Sequence, residues 1–271
     1  MPTTNYPLIT GVGSSGGGGT WGSITGTLSS QTDLQAALDA LEPKYSPSLN
    51  PDLYHLWSTD FDANDRGSLT VAVNAGGGSG QAVNNDTTAL LNTTENAFGV
   101  IAFSLGTGTT ARLSIYSSGL HIIGTSRIQW GGRAAMSVLS DGSNTHTVYL
   151  GICDNPGAGD VTDGVYFRYT HSVNGGRWQA IVAKAATRIA IDTGVSPTAN
   201  TFQVFEIDVN QAGTEAKFYI DGALVATHSS GLPGSGDFTL FNCKMEKSTG
   251  TTGPVLYLDW LYWQKSRTTV R

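Results

Sequence analysis

The chain has 271 residues, with Lys+Arg 15 against Asp+Glu 21, a formal net charge of -6, and charged residues make up only 13%. That length bounds it to one large domain, or one domain with an appendage, and suffices to bury a core without disulfides. The acidic balance lacks the basic footprint of a nucleic-acid binder, while 35 Gly and so few charges disfavour a helix-rich enzyme.

In chain order, Met1 to Tyr6 has neither a basic nor an apolar leader region, so no signal peptide is expected. No run approaches the roughly 18 apolar residues of a membrane span, so no membrane insertion is expected either. Residues 1–20 form a Gly-rich arm ending in Gly16 to Gly19, whose ordering entropy is high unless a neighbouring chain holds it. Residues 21–46 read as an anchor containing one short α-helix. Ser30 caps it, Leu34, Ala37, Leu38 and Leu41 form an apolar stripe, and Pro43 stops it. Three turns are marginal alone, so the stripe packs either on the chain's own β domain or around a symmetry axis of self-association.

The run from Trp21 through Ile24 and Leu28 to Leu38 resembles a segment near the N-termini of tailed-bacteriophage appendage proteins, such as head, neck and tail fibres. The resemblance covers about residues 20–41. It implies a particle-docking, trimer-forming base carried by Trp21, Ile24, Leu28, Leu34, Ala37, Leu38 and Leu41. It also implies a homotrimer on the virion surface, made in the host cytoplasm, whose partner is the major capsid protein or another virion protein.

From residue 54 to about 267 the chain reads as short strands between Gly, Ser and Thr turns, including Arg112 to Tyr116, Thr147 to Ile152 and Phe202 to Val209. Val165, Phe167 and Tyr169 fall on one strand face, and Asp221-Gly222 forms a turn. Strands at about ten-residue spacing predict an all-β, two-sheet sandwich. Phe202 to Val209, Lys217 to Val225 and Tyr257 to Tyr262 resemble the concanavalin A-like lectin/glucanase sandwich, a jelly-roll type that hosts lectins, glycosidases and structural modules.

Glu206-Ile207-Asp208 partly resembles the Glu-x-Asp signature of sandwich-fold glucanases, but Asn210 and Gln211 follow where the acid/base Glu belongs. Alternation turns Phe205, Ile207 and Val209 inward and leaves Glu206 and Asp208 as surface carboxylates. No catalytic residue is expected. Asp60, Asp62 and Asn64 resemble the start of a calcium loop, and Asp154, Asn155, Asp160 and Asp163 form a second oxygen-rich stretch, though such residues also dominate ordinary turns. No cofactor or metal is expected, and calcium is the one candidate these stretches offer. None of the five histidines shows zinc spacing, and Cys153 and Cys243 read as buried free thiols.

Trp130-Gly131-Gly132-Arg133 and Gly175-Gly176-Arg177-Trp178 each set a Trp beside an Arg on an expected loop. Sugars are gripped by aromatic faces with a few polar groups, which makes Trp130, Arg133, Arg177 and Trp178 candidates for a host surface glycan. The competing reading packs both tryptophans into the core or a subunit interface. The closing strand, with Trp260, Tyr262 and Trp263, is expected to build core and subunit contacts. The function expected is a non-enzymatic phage virion appendage, either a capsid decoration or head fibre. A tail-fibre receptor binder and a soluble glycan-binding or glycan-cleaving protein are the alternatives.

Overall fold

The computed structural model describes residues 54–59, 69–74 and 83–84 as strand backbone, and residues 100–117, 121–154, 157–171 and 173–266 in full. All belong to one compact unit, Pro47–Arg271. The arm and the docking residues Trp21, Ile24, Leu28, Leu34, Ala37, Leu38 and Leu41 lie outside the described residues, as do Asp60, Asp62 and Asn64.

Among the described residues, two eight-stranded antiparallel sheets make up the unit. With strands numbered in chain order, the first sheet runs β14 (Ala223–His228), β13 (Ala216–Ile220), β12 (Gln203–Val209), β7 (Ile128–Met136), β16 (Val255–Ser266), β4 (Ile101–Ser104) and β3 (Val83–Asn84). The strand β1 (Tyr54–Thr59) also pairs with β16. The second sheet runs β11 (Thr187–Asp192), β10 (Gln179–Lys184), β9 (Gly164–Thr170), β8 (His146–Cys153), β15 (Phe238–Lys247), β5 (Ala111–Ser117) and β2 (Leu69–Asn74), with β6 (His121–Ile122) against β15. The expected all-β sandwich is the observed architecture.

The core lies between the sheets and follows the two-residue period. Val165, Phe167 and Tyr169 of β9 face Phe205, Ile207 and Val209 of β12, and all six are buried. The Phe167 ring meets Phe205 and Phe218 edge-on, each with centroids 5.2 Å apart, the arrangement an aromatic quadrupole favours. The Asp221-Gly222 pair turns β13 into β14 with both residues at positive φ, 49° and 77°, as a two-residue hairpin requires. Cys153 and Cys243 are free and buried, and burial pushes both thiols well above their ordinary range.

A second, smaller cluster sits on the outer face of the second sheet. Tyr149, Cys153, Tyr166, Ile181 and Ala183 are covered there by Val161. Residues 157–163 are fixed over this face by Lys244, which is wholly buried. Its Nζ donates to the carbonyls of Gly157 (3.1 Å) and Gly159 (2.6 Å) and lies 4.2 Å from the Tyr149 ring centre. The expected second calcium loop spends its described carboxylates internally. Asp160 pairs with Arg168 (2.7 Å) and Arg188 (3.2 Å), Asp163 accepts the Ala185 N–H, and Asp154 accepts the Thr162 N–H.

His146 opens β8 from a buried position, 2% exposed, with no hydrogen-bond partner for Nε2. Burial is the main cause that lowers its pKa from 6.5 to about 4, so the fold holds the ring neutral. The unfolded chain therefore binds this proton first. Stability is intact above pH 6.5 and falls as pH drops through the window down to about 4, by about 3 kcal/mol at the lower end. Denaturant unfolding at pH 7 and pH 4 checks this. His146→Leu is expected to shrink the difference between the two pH values by about that amount, and an unchanged difference would show that the ring does not carry it.

Candidate functional site

Three neighbouring strands, β12, β7 and β16, turn alternate side chains away from the core onto one outer face. Their registers align Asp208, Gln129 and Gln264 in a first row, Glu206, Gly131 and Tyr262 in a second, and Val204, Arg133 and Trp260 in a third. On β13, Lys217 stands opposite Asp208 and Tyr219 opposite Glu206.

The second row is the most constrained. A Cβ on Gly131 would stand 2.8 Å from Cζ of Tyr262, so only glycine lets that ring lie across β7. The ring then reaches the next strand, where its hydroxyl donates to Oε1 of Glu206 at 3.1 Å. Trp260 stacks beside Tyr262, with centroids 5.9 Å apart and planes at 23°. Trp260, Tyr262 and Tyr219 are each half-buried, so aromatic surface stays open to solvent. Burial and the Asp208 carboxylate raise the Tyr219 hydroxyl pKa.

Polar groups in fixed planes flank these rings. Arg127 grips Asp208 through two hydrogen bonds, Nε to Oδ1 at 2.9 Å and Nη2 to Oδ2 at 2.7 Å. Gln264 donates to Gln129, and Arg133 pairs with Asp259 while lying 4.5 Å from the Phe202 ring centre. Beyond the first row opens a cavity of about 350 Å³, lined by Arg127, Asp208, Asn210, Gln211, Glu215, Lys217 and Ser266. Lys217 and Glu215 pair across it at 3.3 Å.

The tryptophans named from sequence lie elsewhere. Trp130 belongs to β7, not to a loop, and points into the core at 2% exposure. Trp178 ends the connection into β10 and is also 2% exposed, edge-on to Phe205 at 4.7 Å, with its indole N–H on Gln203 at 2.9 Å. Neither ring offers a face to a ligand, and the competing reading of core packing is the geometry found. Arg133 does face outward beside Trp260, whereas Arg177 sits apart, paired with Asp192 at 2.8 Å. Glu206 and Asp208 point outward as alternation predicts, but Glu206 is only 9% exposed under Tyr262 and is not a surface carboxylate.

Trp260, Tyr262 and Trp263 were expected to build core and subunit contacts together, and only Trp263 lies in the core. The register shifts between Leu258 and Trp260. Leu256 and Leu258 face inward before the shift, Leu261 and Trp263 after it, which turns Trp260 and Tyr262 out. The spacing Leu256, Leu258, Leu261, Trp263 was the available signal.

Fold and face together define a concanavalin A-like sandwich with a polar, aromatic outer surface. The chain belongs to the SO2946-like family, whose C-terminal domain matches residues 96–259. Protein SO2946 of Shewanella oneidensis MR-1, of unknown function, is similar at TM-score 0.54 and 13% identity, covering 92% of this chain and 98% of that one. The Emp47p carbohydrate recognition domain is similar at TM-score 0.54 and 7% identity, covering 82% of this chain and 100% of that one. Peanut lectin is similar at TM-score 0.52 and 9% identity, covering 80% of this chain and 99% of that one. No curated protein matches the sequence.

If Gly131 exists to admit the Tyr262 ring, then Gly131→Ala should cost about 1–3 kcal/mol through overpacking. The same change in a Tyr262→Ala background should cost much less. A double-mutant cycle by denaturant unfolding measures the coupling, and additive losses would mean that the glycine serves something else.

Proposed function

We propose that the sandwich is a non-catalytic glycan-binding module, and that the outer face of β12, β7 and β16 holds the sugar. The observation that carries this reading is the Trp260–Tyr262 stack set beside Glu206, Asp208 and Gln129 on one face. Flat aromatic surface matches the apolar C–H face of a pyranose, and carboxylate and amide groups at its margin match the ring hydroxyls. Emp47p's matched domain and peanut lectin are a carbohydrate recognition domain and a lectin by their own descriptions. Their likeness gives the fold, and the face supplies the reason to propose sugar binding of this chain. Glu206 held by the Tyr262 hydroxyl and Asp208 held by Arg127 are positioned as hydrogen-bonding groups, which favours binding over glycoside cleavage.

Titration calorimetry against saccharides selected on a glycan array tests the reading. Trp260→Ala is expected to weaken the selected ligand by about tenfold or more while leaving the melting temperature nearly unchanged. Trp178→Ala, by contrast, should destabilise the fold. A protein that binds no saccharide, or binds equally well without Trp260, would overturn the assignment.

A second part of the reading rests on Trp21 to Leu38, the segment that resembles phage appendage bases. We propose that residues 1–46 dock the chain on a virion as a homotrimer, against the major capsid protein or another virion protein, with the sandwich outward. Electron microscopy of particles carrying the labelled chain is expected to show label over the capsid, as for a decoration or head fibre. Label at the tail would make it a receptor-binding fibre, and particles without label would exclude the virion role.

A further inference from the structure

The edge strand β11 has an arrangement that the glycan-binding reading does not use. Among the described residues it closes one side of the second sheet, and it pairs with β10 through six consecutive residues without a register shift. Five of its six residues are exposed and the sixth is half-buried, and Ile189 is 41% exposed. Natural edge strands are guarded by charged side chains, bulges, proline, brevity or a covering element. The first sheet shows two such devices, since β14 carries a register shift against β13 and β3 is two residues long. On β11 neither a bulge nor a proline interrupts the edge, and the charges Arg188 and Asp192 flank Ile189, Ala190 and Ile191.

Its sequence is complementary to itself. Arg188-Ile189-Ala190-Ile191-Asp192 reads basic, apolar, small, apolar, acidic. Antiparallel pairing with a second copy about a two-fold axis at Ala190 sets Arg188 opposite Asp192, Ile189 opposite Ile191 and Ala190 opposite itself. The two faces of the strand then agree with what surrounds them. Ile191 packs at the margin of the core, so two Ile189–Ile191 pairs would extend that apolar layer across the junction. Arg188 and Asp192 lie on the opposite face, where Arg188 sits 3.2 Å from Asp160 and Asp192 sits 2.8 Å from Arg177. A second copy adds an opposite charge to each of these pairs and joins them into an alternating row. The contact is isologous, and it also satisfies the outward backbone groups that the edge leaves to water.

We infer that β11 is a self-association edge, through which the second sheets of two copies of this chain join into one continuous antiparallel sheet. The contact is made by residues 187–192.

Site-specific cross-linking of the full chain tests this. In the inferred register the two Ala190 residues face each other, close enough for a disulfide, whereas two Thr187 residues are roughly 20 Å apart. Cys153 and Cys243 are buried and leave a quiet background. Under mild oxidation Ala190→Cys is expected to form a two-chain species at least about tenfold faster than Thr187→Cys. Light scattering on the unmodified chain and on Ile189→Lys provides the second reading, with the assembly mass expected to halve in the variant. Equal cross-linking rates for the two cysteine variants, or a mass that Ile189→Lys leaves unchanged, would overturn the inference. Saccharide binding by Ile189→Lys separates this result from the glycan reading, because the sugar face lies on the other sheet.

Discussion

One irregularity in β16 governs most of what the first sheet presents. The strand is central and lies against β7 along its length, while its other side is shared, with β4 taking Val255 to Leu258 and β1 taking Leu261 to Ser266. The register shift at Asp259 falls between those two partners. It lets the strand place leucines in the core on both sides of the junction while reversing which residues face out. Without it Trp260 and Tyr262 would compete with Leu261 and Trp263 for the interior, where Trp263 stacks on Phe241 at 4.8 Å. An outer face with open aromatic rings is thus a by-product of keeping the core full.

The same face shows how polar groups are fixed on a sheet without a loop to hold them. Each carboxylate is engaged from a neighbouring strand, Glu206 by a tyrosine that crosses β7 and Asp208 by an arginine just before it. Such contacts are individually modest where partly exposed. Their value is geometric, because side chains tied between strands are held in single rotamers, so the glycan proposed for this face would cost them little freedom.

Much of the fold was legible in the sequence because strand periodicity and turn chemistry act locally. Val165, Phe167 and Tyr169 announced a buried face, and Asp221-Gly222 announced a hairpin. What stayed hidden was set by tertiary contact. Gly131 and Gly132 resembled a turn, yet they are the small residues a central strand needs beneath Tyr262 and Leu261. Trp130 and Trp178 resembled loop anchors, yet each fills the interior at a strand or strand entry. The candidate face was half visible for the same reason: Arg133 was named beside Trp130, whereas the tryptophan that shares its outer face, Trp260, sits on the neighbouring strand beyond a bulge.

Lys244 gives the second sheet a different character. Its ammonium is wholly buried between the Tyr149 ring and the carbonyls of Gly157 and Gly159, and those carbonyls take the place of its water shell. Residues 157–163 are therefore held down, since lifting them would break the Lys244 bonds to Gly157 and Gly159 and the Asp160 pairs with Arg168 and Arg188, and would bare Tyr166 and Ile181 to water. Hydrogen exchange in this segment should follow that of the strands beneath it, and a protease should find no early cut there. The covering segment is bound into the cooperative unit by the buried Lys244 ammonium together with the Asp160, Asp163 and Gly159 contacts.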